Sequence, residues 1–551
     1  MKKIQSPSRT KLLGLPILLC LALNVFAQPE QLWKSTFDHP IQWLKVAPTG
    51  QLLAGTKKSL LGIDPANGEV LWQRDDLKGL IDWQRTEKTC CESWLEEFVP
   101  FTPYAVLRIF SGANKTFKHS GLPDYLKLIN VLDGQDMWTT QTMGLKHQYG
   151  YFFLPEIGGM LIYAKDKKKK KTVLVVEIET GTVLWENREF FKKRSPAMFP
   201  DGEAIETIIG NQEPLFDTEE TMITFMNKKA IRKFDAKTGE LIWETEVKAK
   251  EVSAPRNGYA PMILGENRET LYAACVKKSL FKWYGIICAI RTSDGKMIWK
   301  KPVKFKGGVT QMQQAANGLI VKGVPIDEEG LPKTDKKPFF ALLDPVSGKV
   351  LWKKEYTVLT GGSDFVVRDN DILVYAKGKL LTVNLLDGML FEIGKDLKFK
   401  GKETPAFIDI RDDGIFLQSS NNLMLVSLMG EKVYHAYHEA PGFSWWEKLA
   451  GLAGSMAAAS YLKTDDISGA TDFIFAARFK ATINLETYTY MLARIETGKK
   501  KKVGLVKVNK NDGTVANQII LGTRRPTYSV DEYESLLFLK SNKREIVCYR
   551  F

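Results

Sequence analysis

Residues 231–243 read IRKFDAKTGELIW, and the fold prediction starts from this pattern. Strand-forming residues flank a polar turn, in which Gly239 supplies a positive φ and the Asp235 side chain can bond its own backbone two residues on. Trp243 follows the glycine by four residues, so its ring takes a fixed register on the outgoing strand. The stretch therefore predicts an antiparallel β-hairpin with a large aromatic ring on its second strand.

The same hairpin recurs along the chain with the same spacing between glycine and tryptophan. Five further pairs have this spacing, namely Gly68 and Trp72, Gly134 and Trp138, Gly181 and Trp185, Gly295 and Trp299, and Gly348 and Trp352. Three weaker copies depart from it, because Tyr434 replaces the tryptophan after Gly430, Phe391 follows Gly388 by only three residues, and Gly513 keeps only the turn. The units lie roughly 40 to 66 residues apart, a spacing typical of repeat arrays such as propeller blades.

Further strand candidates surround the hairpins and reach both ends of the chain. Residues 222–225 and 371–375 each precede a hairpin, so each unit predicts a four-stranded antiparallel sheet. Residues 31–34 read as a last strand without its partner, and residues 536–539 and 545–549 as strands without an outer neighbour. Pairing of the termini would close a ring and remove an open sheet edge. We predict an all-β propeller of about seven to ten four-stranded antiparallel blades, with the six tryptophans buried between neighbouring sheets.

The turn and the ring together form a family motif. Asp235, Thr238, Gly239 and Trp243 give Asp-x-x-Thr-Gly-x-x-x-Trp, which resembles the tryptophan-docking repeat of the pyrroloquinoline quinone (PQQ)-like β-propellers. This family includes quinone-dependent dehydrogenases and non-catalytic envelope scaffolds, such as the propeller subunit of the outer-membrane protein assembly machinery. The resemblance therefore implies the fold but does not choose between catalysis and binding.

The first 27 residues predict export. Four basic residues precede an apolar run from Leu12 to Ala27, and small residues before Gln28 form a cleavage pattern, so we expect a signal peptide cleaved after Ala27. A membrane anchor is the alternative, but Pro16 interrupts a run that is short for a span. A lipoprotein signal at Cys20 would place Gly, Ala or Ser where Leu19 stands. We expect residues 28–551 to form a single propeller domain in the periplasm or cell envelope, without a membrane-spanning segment.

The charge is basic and locally concentrated. The net charge is +14, and removal of the four basic residues in the signal peptide leaves +10. Lysines cluster at residues 167–171 and 499–502, which read either as two solvated hairpin loops or as a contact with an anionic envelope surface or acidic partner. Export and the lack of interleaved aromatic residues argue against nucleic acid.

An interruption of the β pattern at about residues 440–468 predicts a helical insertion. Ser444 and Glu447 form a capping box before an Ala- and Leu-rich stretch. The insertion packs over the propeller rim in one interpretation. In the other it docks a partner through candidate anchors Phe443, Trp445 and Trp446.

Cysteine and histidine pairs supply the candidates for chemistry. Adjacent Cys90 and Cys91 resemble the disulfide that quinoprotein alcohol dehydrogenases hold against PQQ, but the sequence lacks a recognisable Ca²⁺-ligand set or haem motif to accompany them. Cys275 and Cys288 flank a hairpin and can bridge, whereas Cys548 is a candidate free thiol. His435 and His438 fall on opposite faces of a strand, so we predict no metal site there.

These observations favour a non-catalytic exported propeller that binds an envelope protein or polymer and is monomeric on its own. No cofactor is expected in this interpretation. The alternatives are a quinone-dependent oxidoreductase with PQQ and calcium, and a small-ligand or glycan binder using the central funnel. Motifs for hydrolase and nucleotide chemistry are missing from the sequence.

Overall fold

The structure is a computed structural model. It describes residues 29–82, 93–100, 102–110, 125–168, 170–188, 214–226, 230–247, 252–253, 262–279, 282–327, 333, 335–441, 487–498, 500–523 and 526–551. Three sequence predictions lie outside these residues. They are the signal peptide, the Cys90–Cys91 pair, and nearly all of the helical insertion with Phe443, Trp445 and Trp446.

The described residues form ten sheets that follow one another along the chain. The N-terminal strand β1 (Glu30–Thr36) belongs to the last sheet. The strands of blades 1 to 3 are β2 (Ile41–Val46), β3 (Leu52–Thr56), β4 (Leu60–Ile63) and β5 (Val70–Arg74); β6 (Ile81–Asp82), β7 (Trp94–Phe98), β8 (Tyr104–Ile109), β9 (Tyr125–Asn130) and β10 (Asp136–Thr139); and β11 (Leu145–Leu154), β12 (Gly159–Asp166), β13 (Lys171–Glu177) and β14 (Val183–Asn187).

Blades 4 to 7 continue the up-and-down order. Their strands are β15 (Leu215–Thr218), β16 (Thr221–Met226), β17 (Ala230–Asp235) and β18 (Leu241–Glu246); β19 (Val252–Ser253), β20 (Met262–Leu264), β21 (Thr270–Ser279), β22 (Lys282–Arg291) and β23 (Val303–Phe305); β24 (Gly308–Ala315), β25 (Gly318–Val324), β26 (Phe339–Leu343) and β27 (Val350–Glu355); and β28 (Val366–Arg368), β29 (Asp371–Ala376), β30 (Lys379–Asn384) and β31 (Leu390–Gly394).

Blades 8 to 10 complete the series. Blade 8 contains β32 (Phe407–Arg411), β33 (Gly414–Gln418), β34 (Asn422–Val426) and β35 (Lys432–Tyr437), and blade 9 contains β36 (Tyr488–Thr497), β37 (Lys500–Asn509) and β38 (Val515–Ile520). Blade 10 combines β39 (Tyr528–Asp531), β40 (Leu536–Asn542) and β41 (Glu545–Arg550) with β1.

The two ends of the chain close the ring. β1 pairs antiparallel with β41, from Glu30 opposite Arg550 to Thr36 opposite Glu545. The N-terminal strand is therefore the outermost strand of blade 10, and β39 of the same blade contacts β2 of blade 1. The predicted all-β propeller closed by its termini is confirmed, and the described residues form ten blades.

The hydrophobic core is divided into ten clusters, one between each pair of adjacent blades. One cluster joins blades 4 and 5 through Trp243, Leu271 and Cys288. Another joins blades 10 and 1 through Phe538 and Leu52, which completes the circle. The remaining clusters occupy the other eight junctions. Each blade is thus buried only by its neighbours, so stability depends on the blade-to-blade contacts.

The alternation of strands separates the connections onto two faces. With the four strands of a blade named a to d, the a–b and c–d turns lie on one face, and the b–c turns and blade-to-blade connections lie on the other. We call these the c–d face and the b–c face. In the described part of the chain, no helix is long and apolar enough to cross a membrane.

Candidate functional site

The repeated tryptophan connects one blade to the turn of the next. In blade 4, the indole N–H of Trp243 donates to the Thr292 carbonyl oxygen of blade 5 at 2.8 Å. A Cβ at Gly295 of that turn would lie 2.7 Å from the Trp243 ring. Because glycine has no Cβ, the ring can pack flat on the turn. The same indole-to-carbonyl bond occurs from Trp72 to Val131, Trp138 to Ile178, Trp185 to Ala236, Trp299 to Pro345 and Trp352 to Leu385.

A β-bulge directly before five of these rings, those of Trp72, Trp138, Trp185, Trp243 and Trp352, sets the direction of the ring. In blade 6, Val350 pairs with Leu343 and Trp352 with Leu342, so Leu351 has no cross-strand partner. The extra residue turns outward and is 50% exposed, while the tryptophan points to the next blade. Trp138, Trp185, Trp243 and Trp299 are buried, and Trp72 and Trp352 are half-buried. Sequence reasoning missed these bulges, although the four-residue spacing from glycine is their signal.

Two more rings dock in the same way, and one does not. Trp33 of the N-terminal strand donates to the Pro65 carbonyl oxygen at 2.8 Å, and the Tyr434 hydroxyl donates to the Lys510 carbonyl oxygen. Phe391 pairs with Thr382 without a preceding bulge and is 48% exposed. At this junction Gly430 instead approaches the backbone of Ile393. The shortened repeat therefore leaves an aromatic ring on the surface.

Exposed apolar side chains collect on the c–d face of blades 6 to 8. Val346, Leu386 and Met429 stand at the tips of three consecutive c–d turns, with 75%, 73% and 87% of their surface exposed. Leu428, Met389 and Phe391 extend this set, which we call the apolar ridge. At the matching turn position blade 4 carries Lys237. A cluster of exposed large apolar residues of this kind marks an interaction surface.

The turns that carry the ridge are held rigidly. Asn384 accepts a bond from the Leu386 N–H at 2.9 Å through its side chain and one from the Gly388 N–H at 2.8 Å through its carbonyl. Trp352 of the preceding blade anchors the adjacent Leu385 carbonyl at 2.7 Å. The backbone that carries Leu386 is thus held in place before any partner binds, which lowers the backbone entropy lost on binding.

The bridge between Cys275 and Cys288 that the sequence allows is not formed. Cys275 is opposite Ile286 and Cys288 is opposite Ala273, so the thiols lie on one face but two residues out of register. Both are free and buried, as is Cys548. Burial raises the pKa of the Cys288 thiol to about 12, which makes it a poor nucleophile at neutral pH.

The two histidines of blade 8 have different hydrogen-bond surroundings. His435 Nε2 lies 2.9 Å from the Asn422 Oδ1 atom, and burial together with Lys400 and Lys432 lowers the pKa of His435. The His438 ring is half-buried, its Nε2 atom is buried with no hydrogen-bond partner, and burial lowers the pKa of His438 as well. Within the described ranges, no group of three or more His, Cys, Asp or Glu is placed to hold a metal ion.

A polar and aromatic cluster lies between the inner strands of blades 2 and 3. Arg108 Nε is 2.7 Å from Glu96 Oε2, and its guanidinium lies 5.9 Å from the centre of the Tyr151 ring. The Tyr151 hydroxyl donates to Glu97 at 2.6 Å, and burial with the nearby carboxylates raises its pKa. The Tyr151–Glu97 bond and the Arg108–Tyr151 contact both run between blades 2 and 3, so the cluster holds the two blades together.

Comparison with known proteins supports one family. The family model described as outer membrane protein assembly factor BamB matches residues 123–324 and 227–392. No curated protein matches the chain at a significant level. Among solved structures the chain is similar to BamB from Moraxella catarrhalis, with 13% identity, a TM-score of 0.35, and coverage of 73% of this chain and 98% of that one.

Two further solved structures are similar at the same low level. Quinohemoprotein alcohol dehydrogenase from Comamonas testosteroni has 13% identity and a TM-score of 0.30, with 72% of each chain covered. Sqt1 from Saccharomyces cerevisiae has 10% identity and a TM-score of 0.34, with 74% of this chain and 100% of that one covered. Likenesses of this size carry no inference about activity.

The family match coincides with the clearest copies of the docking hairpin. Residues 123–392 contain the hairpins from Gly134 to Gly388, including five of the predicted docking tryptophans. The chain is a β-propeller that resembles the PQQ-like propellers, and its residues 123–392 match the family model described as outer membrane protein assembly factor BamB.

Proposed function

We propose that this protein is a non-catalytic, exported scaffold that binds another protein of the cell envelope through the apolar ridge. The observation that carries the proposal is the exposure of Val346, Leu386 and Met429 at three consecutive turn tips. Burial of these apolar side chains against a partner stabilises the complex by roughly 25 cal/mol per Å² of apolar area removed from water. Leu, Met and Phe side chains are suited to serve as anchors in a partner's pockets.

The family match is a second, separate observation that supports the proposal. The matched model is that of an outer membrane protein assembly factor. Assembly factors act by contact with other proteins, and such contact needs no catalytic residues. Residues 1–27 support export to the compartment where such partners occur. We further propose that the helical insertion with Phe443, Trp445 and Trp446 adds a second contact.

Site-specific photo-crosslinking in native envelope tests the proposal. A photo-reactive residue is placed at Leu386 or, as a matched control, at Lys237, which occupies the equivalent turn position in blade 4. We expect a discrete crosslinked product from position 386 and none from position 237. Leu386→Ser combined with Met429→Ser should remove a product formed from position 346. Equal crosslinking from positions 386 and 237, or no product from either, would contradict the proposal.

A further inference from the structure

Most of the described basic loop residues lie on the b–c face, in its b–c turns and blade-to-blade connections. Six of the b–c turns, taken together with the first residues of the strand that follows, hold two or more basic side chains, whereas the b–c turn of blade 8 holds none. The turns belong to blades 1, 3, 6, 7, 9 and 10, and their basic residues are Lys57 and Lys58; Lys167, Lys168 and Lys170; Lys333, Lys336 and Lys337; Lys377 and Lys379; Lys500, Lys501 and Lys502; and Lys543 and Arg544. Strand alternation places all of them on one face of the ring.

Many of these charges have no counterion on the protein. No ion pair is formed, among the residues described, by Lys57, Lys58, Lys167, Lys168, Lys377 or Lys543, and all six are exposed. Others are paired, such as Lys501 with Glu439 at 2.7 Å. Unpaired ammonium groups repel one another unless a negative surface compensates them.

The opposite face carries the opposite charge. Exposed acids lie on the c–d turns at Glu69, Asp133, Glu179, Glu240, Asp387, Glu431 and Asp512, and on the a–b turns at Glu156, Glu219 and Glu266. Positive and negative side chains are therefore concentrated on opposite faces of the disk. A separated distribution of this kind orients the molecule in an electric field or near a charged surface.

We infer that the b–c face binds the anionic surface of a phospholipid bilayer. The unpaired lysines are spread over blades on different sides of the ring, which suits a wide, flat, negatively charged surface better than one acidic segment. Lysine acts as a hydrated point charge and does not require the fixed geometry that arginine uses for a specific carboxylate. The described residues of the six basic turns include no aromatic ring to stack on nucleic-acid bases.

This inference goes beyond the proposed partner contact, because it concerns the other face. If the b–c face lies on a membrane, the apolar ridge on the c–d face points away from the lipid and stays open to a protein. Among the described residues, the basic turns of blades 1, 3, 7, 9 and 10 carry no large apolar side chain. Binding is therefore electrostatic and reversible, and its strength rises with each lysine near the surface.

Vesicle co-sedimentation of the full mature chain tests the inference. The vesicles contain phosphatidylcholine alone or with phosphatidylglycerol. One variant removes four b–c charges, Lys57→Gln, Lys58→Gln, Lys167→Gln and Lys168→Gln. The matched control removes four charges near the c–d turns, Lys237→Gln, Lys296→Gln, Lys349→Gln and Lys432→Gln. A third variant carries arginine at the four b–c positions to restore charge.

We expect binding that requires phosphatidylglycerol and disappears when salt is raised to about 0.5 M. The b–c glutamine variant should bind at least about tenfold more weakly, while the c–d control and the arginine variant stay near the wild-type value. Absence of phosphatidylglycerol-dependent binding, or equal weakening in both glutamine variants, would overturn the inference. So would capture by polyglutamate beads without any binding to the vesicles. Crosslinking from position 386 is read separately, so the two proposals fail independently.

Discussion

At the scale of single residues, the ring depends on one repeated contact between an indole and a turn. The indole N–H donates to a buried carbonyl of the next blade's turn, and the glycine of the turn leaves room for the ring. Gly295 has a φ of 70°, so both its conformation and its missing side chain are needed. Each hairpin carries both the glycine and the tryptophan at a fixed spacing, so the positions that form this contact are readily recognised from the sequence.

Trp243→Ala should destabilise the propeller by about 3–5 kcal/mol, because it leaves a cavity between blades 4 and 5 and removes one of the two hydrogen bonds to the Thr292 carbonyl. Trp243→Phe should cost less, since part of the ring remains. The measurement is the free energy of unfolding from urea titration. Ile242→Ala is the matched control, because Ile242 is the neighbouring residue and is 45% exposed. Similar losses for Trp243→Ala and Ile242→Ala would contradict the docking role.

His435 should make blade 8 sensitive to acid. Its ordinary pKa is 6.5, and in the folded protein burial, Lys400 and Lys432 lower that pKa. The unfolded chain therefore binds a proton that the folded state does not, so stability falls as pH drops below about 6.5. The double variant His435→Gln and His438→Gln should flatten the melting temperature between about pH 6.5 and 5. An unchanged slope would show that other groups cause the acid response.

At the scale of strands, small changes of pairing decide which side chains are presented. In blade 6 the bulge at Leu351 directs Trp352 to the next blade. In blade 7 the outer strand β31 pairs regularly through Phe391, and its irregularity comes later, between Glu392 and Gly394. The Phe391 ring takes the cross-strand position of a docking tryptophan but remains 48% exposed. One shortened repeat thus converts a structural position into part of a binding surface.

The N-terminal strand β1 should contribute strongly to stability. It supplies the outer strand of blade 10 and docks Trp33 on blade 1, so a chain beginning at Phe37 loses both a strand and a ring contact. Its thermal midpoint should fall well below that of a chain beginning at Glu30. A synthetic peptide of residues 29–37, added in excess, should restore part of the loss by mass action. Equal melting of the two chains would mean that closure contributes little.

At the scale of the whole molecule, ten similar interfaces form a closed ring with two unlike faces. Because each blade is buried only by its neighbours, no blade can be removed without exposing two apolar surfaces. The residues on the two faces do not have to pack against a neighbouring blade, so the faces can differ in charge and polarity. Function is expected on them, since turns tolerate changes that the interfaces do not.

Addition of PQQ with Ca²⁺ should leave the whole-protein melting curve unchanged. The quinone-dependent alternative rests on Cys90 and Cys91, and the neighbouring carboxylates Glu96 and Glu97 bond Arg108 and Tyr151. A ligand that binds only the folded state would raise the midpoint in proportion to its excess over Kd. Differential scanning calorimetry and dye-linked alcohol oxidation are the measurements. A saturable, Ca²⁺-dependent shift that Cys90→Ser and Cys91→Ser abolish would establish the enzyme instead.

The sequence by itself determined the repeat, the hairpin and the closed propeller of this protein. These features are local, because Gly239 and Trp243 lie in one short stretch and each copy shows the same spacing. Ring closure also followed from sequence, since strands without partners stand at the two ends of the chain. The sequence limited the blade number only to a range, because a single hairpin unit can belong either to a blade or to an insertion.

Only the tertiary structure decided how the surfaces are arranged. Whether Cys275 meets Cys288 depends on strand register, and the two-residue offset prevents the bridge. The exposure of Phe391 depends on how two blades meet, and the basic face depends on which ends of the strands lie together. Register and blade contacts join residues far apart in the chain, so no local pattern specifies them.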